Sequence, residues 1–70
     1  MKTPQQRAAR LLEIVKEANL PESEFSPVEF LKYARSFWAQ TDWSEEYQEE
    51  CLQALCDALY ENGYLKRGEA

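Results

Sequence analysis

The sequence predicts a small all-α, three-helix domain with no sheet, arranged as a compact bundle or as a helix-turn-helix-like orthogonal packing. Apolar residues recur at helical spacing in three segments, each opened by a Ser or Thr that can cap a helix. No segment alternates apolar and polar residues as a strand would. We expect one domain over residues 1–70, with helices at about 4–18, 27–40 and 44–62.

The start of the first helix is marked by Thr3 and Pro4. Thr3 can cap, Pro4 fits the first helical position, and Gln6 can complete a capping box. Asn19 suits the left-handed residue after a helix, and Leu20 can then fold back onto Val15. The apolar face consists of Ala8, Leu11, Leu12, Val15 and Ala18.

The second helix has the clearest start signal in the chain. Ser26 can cap it, Pro27 takes the first position, and Glu29 can close a capping box. Phe25 and Phe30 are placed as the two ends of a hydrophobic staple. The stripe that begins at Phe30 continues through Leu31, Ala34, Phe37 and Trp38.

The third helix is expected to begin at Ser44, although a start at Thr41 would place Trp43 inside it. Asn62 and Gly63 predict a glycine motif at its end. Packed together, the three helices should bury a core of Leu11, Leu12, Val15, Phe30, Leu31, Phe37, Trp38, Cys51, Leu55 and Leu59. A core of this size is marginal, so the nine aromatic residues are important for its stability.

Charge is distributed unevenly along the chain, whose formal net charge is -5. Residues 42–64 carry seven acids and no base, whereas residues 1–18 carry four bases against two acids. Either the first helix neutralises the third within one molecule, or the acidic face is a solvated surface, or it meets a basic partner. The predicted partner-binding residues are Glu45, Glu46, Glu49, Glu50, Cys56, Asp57, Tyr60 and Glu61.

Two of these residues, Cys56 and Tyr60, interrupt the acids on the helical wheel. They form either part of the contact patch or a surface that another helix covers. Tyrosine is enriched at the energetic centres of protein interfaces, so both interpretations stay open for Tyr60, whereas the wide apolar stripe of a three-helix domain favours coverage of Cys56 by another helix.

Residue types that carry most catalytic and metal chemistry are missing from the sequence. The chain has no histidine and two glycines, which removes the commonest general base and any phosphate-binding loop. Cys51 and Cys56 are too far apart on one helix for a disulfide and too few for a zinc site. We therefore expect no catalytic residue, no cofactor, no metal and no enzyme activity.

The expected function is a non-catalytic protein–protein interaction module, a small adaptor or inhibitor that binds a basic protein surface. Direct binding to nucleic acid is not expected, because phosphates would meet seven acids. Two alternatives stay open: a homo-oligomeric (for example dimeric) scaffold, or an inhibitor that mimics nucleic acid. The scaffold would use the aromatic residues Tyr33, Trp38, Trp43, Tyr60 and Tyr64. Free thiols and the lack of a long apolar run predict a cytoplasmic protein with no membrane segment.

Overall fold

The computed structural model describes residues 2–19 and 24–65. It contains α1 (Pro4–Ala18), α2 (Pro27–Ala39) and α3 (Glu45–Glu61), and no strand occurs within the described ranges. The predicted all-α three-helix class is confirmed. α1 has the expected bounds, while α2 ends one residue early and α3 is one residue shorter at each end.

The caps of α1 form as the sequence predicts. The Thr3 hydroxyl accepts a hydrogen bond from the Gln6 amide at 3.2 Å, and the Gln6 side chain accepts one from the Thr3 amide at 2.9 Å. Asn19 takes the left-handed conformation, with φ 52°. The expected contact of Leu20 with Val15 lies outside the described residues.

α2 begins with half of its expected capping box. The Ser26 hydroxyl accepts from the Glu29 amide at 3.3 Å, but within the described residues the Glu29 carboxylate makes no return bond. The staple is present, because the Phe25 and Phe30 ring centroids lie 5.6 Å apart. Phe25 also meets the edge of Tyr64, at 5.2 Å, which places the start of α2 beside the end of α3.

α3 is capped by Ser44, whose hydroxyl accepts from the Tyr47 amide at 3.2 Å. The alternative start at Thr41 is therefore wrong, and Trp43 precedes the helix. At the other end Gly63 has φ +81°. The Tyr64 amide donates to the Leu59 carbonyl at 2.9 Å, and the Gly63 amide donates to the Tyr60 carbonyl at 3.2 Å. These two bonds define a Schellman motif.

α3 is the central helix of the fold, since it packs against both α1 and α2. Between the described parts of α1 and α2, no Cα pair lies within 8 Å. α1 runs in the same direction as α3, because the Tyr47 hydroxyl donates to the Lys2 carbonyl at one end and Lys16 bonds Asn62 at the other. α2 runs in the opposite direction.

The core centres on the buried line of α3. Its fully buried members are Ala8, Leu12, Ala34, Trp38, Cys51, Leu55 and Leu59. Ala8 and Ala34, absent from the expected core, are buried because a small side chain allows close helix approach. Phe37 was expected inside but is 48% exposed, and Val15 is half-buried outside the cluster. α1 and α2 do not approach each other, so neither helix covers the flank of the other.

Candidate protein-binding site

The five glutamates of the predicted site on α3 are all exposed. Burial of Cys51, Leu55 and Leu59 turns one side of the helix inward. The side that remains in solvent carries Glu45, Glu46, Glu49, Glu50 and Glu61. The first two lie in the first turn, where the partial positive charge of the helix N-terminus stabilises carboxylates.

Arg7 and Lys16 of α1 form their hydrogen bonds with residues other than these glutamates. The Arg7 Nε donates to the Tyr47 hydroxyl at 3.4 Å, and its guanidinium lies 4.5 Å from the centroid of the Trp43 ring. The Lys16 ammonium donates to the Asn62 side-chain oxygen at 2.9 Å.

Arg10 forms an ion pair within its own helix, at 3.7 Å from Glu13. Among residues 2–19 and 24–65 it is the one ion pair whose nitrogen and oxygen atoms lie within 4 Å of each other. In that part of the chain, α1 therefore forms no direct ion pair with the five exposed glutamates of α3. The opposite charges of the two helices still attract at longer range, but salt screens that attraction.

The other three predicted residues, Cys56, Asp57 and Tyr60, are half-buried. Asp57 accepts a hydrogen bond from the Gln53 amide group at 3.2 Å, one turn away on the same helix. Each of the three therefore presents part of its side chain to solvent. They cannot serve as fully projecting anchors in this conformation.

A groove between α1 and α3 runs beside this face. We call it the α1–α3 groove. Its main section has a volume of about 510 Å³, and a second section of about 410 Å³ continues it past Pro4 and Glu50. Ala8, Ala9, Leu12, Ala54 and Ala58 give it an apolar floor of mostly small side chains. Its rim carries Gln5, Glu13, Lys16, Glu50, Gln53, Asp57, Glu61 and Asn62.

The groove divides the predicted site into two sets. Glu50, Asp57 and Glu61 line it, and at 100° per residue they fall within about 40° of one another on α3. The remaining predicted residues, Glu45, Glu46, Glu49, Cys56 and Tyr60, do not line it. The predicted site therefore extends beyond the groove.

Sequence reasoning missed the contribution of α1 to this region. Ala9 and Glu13 line the groove, yet a helical wheel drawn for α3 alone cannot include them. A usable signal was present in the paired small residues Ala8 and Ala9 on one helix and Ala54 and Ala58 on another. Ala54 and Ala58 are four residues apart on α3, so their small side chains lie on one face and permit close packing against a second helix.

A second exposed feature lies on α2. Tyr33 and Phe37 are stacked, with ring centroids 6.1 Å apart and planes at 8°, and they are 61% and 48% exposed. The other aromatics of the scaffold alternative are more covered. Trp38 is 2% exposed, Trp43 and Tyr60 are half-buried, and Tyr64 packs on Phe25.

The two thiols are free but differ in environment. Cys51 is fully buried, and this burial raises the pKa of its thiol above the ordinary value of 9.0. The hydrogen-bonding interaction with Tyr47 and the charge of Arg7 lower the pKa, while the charge of Glu50 adds to the rise. A raised pKa keeps the thiol protonated, and a protonated thiol is a poor nucleophile.

Within residues 2–19 and 24–65, no three His, Cys, Asp or Glu side chains are arranged to hold a metal ion. None of the helices in those ranges combines the length and the apolarity needed to cross a bilayer. Comparison of the chain with family models, with curated proteins and with solved structures found no match.

Proposed function

We propose that this protein is a non-catalytic interaction module, a small adaptor or inhibitor, that binds a basic surface of another protein through the acidic side of α3. The observation that carries the proposal is the set of five exposed glutamates without a direct ion pair to α1. Like charges four residues apart, such as Glu45 with Glu49, slightly destabilise a helix. A binding role accounts for a charge pattern that folding alone does not favour.

A charged surface of this kind acts mainly on how fast two proteins associate and on the orientation in which they meet. A one-signed helix surface raises the association rate with an oppositely charged partner and lowers it with a like-charged one. The proposal therefore specifies a basic protein, whose binding weakens as salt rises. It also places the protein in the cytoplasm, because two free thiols suit a reducing compartment.

The test is affinity capture from a lysate of the source cell, at low and at high salt. The test variant replaces Glu45, Glu46, Glu49 and Glu50 by Gln. A matched control removes four exposed acids elsewhere, with Glu17, Glu24 and Glu29 changed to Gln and Asp42 to Asn. A basic partner should be lost with the test variant and with high salt, and kept by the control.

Three other results are informative. Equal loss with both variants would mean that net charge alone drives capture, and the α3 site would be wrong. A partner that survives both salt and the test variant would also contradict the proposal. If the captured partner binds nucleic acid and is displaced by it, the protein acts as a nucleic-acid-mimicking inhibitor.

The stacked pair Tyr33 and Phe37 favours a second candidate function, a homo-oligomeric scaffold. Two exposed aromatic rings side by side are a typical interface centre, and burying them in a second copy would recover their apolar area. Light scattering over a range of concentrations tests this candidate. A dimer that dissociates with Tyr33→Gln/Phe37→Gln would support it, and a concentration-independent monomer would exclude it.

A further inference from the structure

The α1–α3 groove has the shape of a site for a helix. It extends from Pro4 to Lys16 along α1, a rise of about 18 Å at 1.5 Å per residue, or more than three helical turns. α1 and α3 run in the same direction, so they form two parallel walls. The alanine floor lets the axis of a third helix approach closely.

The floor and the rim differ in chemistry. Ala9, Ala54 and Ala58 offer apolar contact, while Glu50 and Glu61 stand on the α3 wall and Glu13 on the α1 wall. Lys16 is the one basic residue among the described residues that line the groove. Its ammonium already donates a hydrogen bond to Asn62 at one end of the groove. Glu13 is already paired with Arg10 at 3.7 Å, so an occupant that complements this groove is apolar along one line and positively charged on the side that faces α3.

An extended basic peptide fits less well than a helix. Its backbone amides and carbonyls would lie over alanine side chains, which offer no hydrogen bonds. A helix satisfies its backbone internally and needs only side-chain contacts from the groove.

We infer that the α1–α3 groove binds a basic amphipathic helix of a partner protein, with small or apolar residues on the alanine floor and Lys or Arg beside Glu50 and Glu61. This inference rests on the proposed function, and it specifies where on the acidic surface the partner binds and in what conformation. It predicts that Glu45 and Glu49, exposed on the same helix but outside the groove, contribute little.

The test uses the full chain and two synthetic peptides of about 18 residues, long enough to fill the channel. Both contain the same numbers of Ala, Leu and Lys. In one, lysines flank a single apolar stripe; in the other, the order is permuted so that no stripe forms. Fluorescence anisotropy gives affinities, and amide chemical shifts locate binding. We expect the striped peptide to bind more tightly and to shift the Ala9, Ala54 and Ala58 signals.

Two matched pairs of variants separate the groove from the general acidic surface. Glu50→Gln/Glu61→Gln should weaken binding of the striped peptide by about threefold or more, whereas Glu45→Gln/Glu49→Gln, with the same loss of charge, should not. Ala9→Arg adds bulk and positive charge to the floor and should weaken binding similarly. Ala39→Arg adds the same group at an exposed position on α2 and should have little effect.

Each contrary result has a distinct meaning. Equal weakening by both glutamine pairs would overturn the groove while leaving the acidic face of α3 as the binding surface. Equal affinity for the two peptides, or no binding of either, would also overturn it, and the lysate capture would then decide the proposed function by itself. Groove shifts that appear with protein concentration and without peptide would identify a second copy as the occupant.

Discussion

Cys51 and Cys56 show how a few residues of separation change the chemistry of one side-chain type. Both belong to α3, but Cys51 is fully buried in the core while Cys56 is half-buried at the surface. A thiol-modifying reagent requires access to the sulfur atom as well as a thiolate. The two residues should therefore differ in both reaction rate and effect on stability.

We expect a thiol reagent to label Cys56 in the folded protein and to reach Cys51 mainly after local or global unfolding. Mass spectrometry of digested samples measures the two rates separately. In a Cys56→Ser variant, the remaining labelling should be slow and should accelerate in denaturant. Equal labelling rates in the native wild-type protein would contradict the burial of Cys51.

The raised pKa of Cys51 also predicts how stability depends on pH. The folded state keeps this thiol protonated above pH 9.0, whereas the unfolded chain loses the proton near that value. The unfolded state then binds fewer protons, so the free energy of unfolding falls as pH rises above about 9. Urea unfolding at several pH values should show a smaller loss for Cys51→Ala than for the wild type. Identical pH slopes would rule out a contribution from Cys51.

At the scale of elements, the end of α3 depends on one glycine. Gly63 has φ +81°, a conformation that L side chains rarely adopt, and no atom lies within 4 Å of the position that its Cβ would occupy. Gly63→Ala should therefore destabilise the protein by about 1 kcal/mol through backbone strain rather than through a clash. Gly63→Asn should cost less, because asparagine tolerates the left-handed region. Thermal unfolding compares the stability of the two variants. Equal losses of stability would contradict backbone strain at Gly63 as the cause.

The acidic surface of α3 predicts a gain in stability when a charge is reversed. Glu49→Lys removes a repulsion with Glu45 and creates a favourable Glu–Lys pair four residues apart, worth about 0.5 kcal/mol or slightly more in total. Glu49→Gln, which only removes the repulsion, should gain less. Unfolding in urea measures both variants. A clear destabilisation by Glu49→Lys would mean that Glu49 makes a stabilising contact in the folded protein.

Most helix ends could be predicted from short-range signals in the sequence, but the packing of one helix against another could not. Thr3, Ser44 and Gly63 determine helix ends through bonds to near neighbours, so their roles can be inferred from a few letters of sequence. Phe37 could not be placed in this way, because its burial depends on whether α1 covers that flank of α2. The groove was missed for the same reason, since its two walls, residues 4–16 and 50–62, are 34 or more residues apart in sequence.

On the scale of the whole molecule, α3 connects two helices that have no close approach to each other. Arg7 strengthens one of these contacts, with its guanidinium over Trp43 and its Nε bonded to Tyr47. Trp38 strengthens the other from α2, where it is almost fully buried. This arrangement leaves one flank of α1 and one of α2 exposed, which explains why both a groove and an aromatic pair remain on the surface of so small a domain.

A helix that packs against both of the others should be the last element to open. Amides of α3 between Cys51 and Leu59 are covered by both neighbours, and their exchange should require global unfolding. α1 and α2 each have one packed neighbour, so their amides should exchange faster, through partial opening. Hydrogen exchange followed by NMR tests this ranking under native conditions. Slowest exchange in α1 or α2 would contradict the central role of α3, and uniform rates in all three helices would indicate that the domain opens as a single unit.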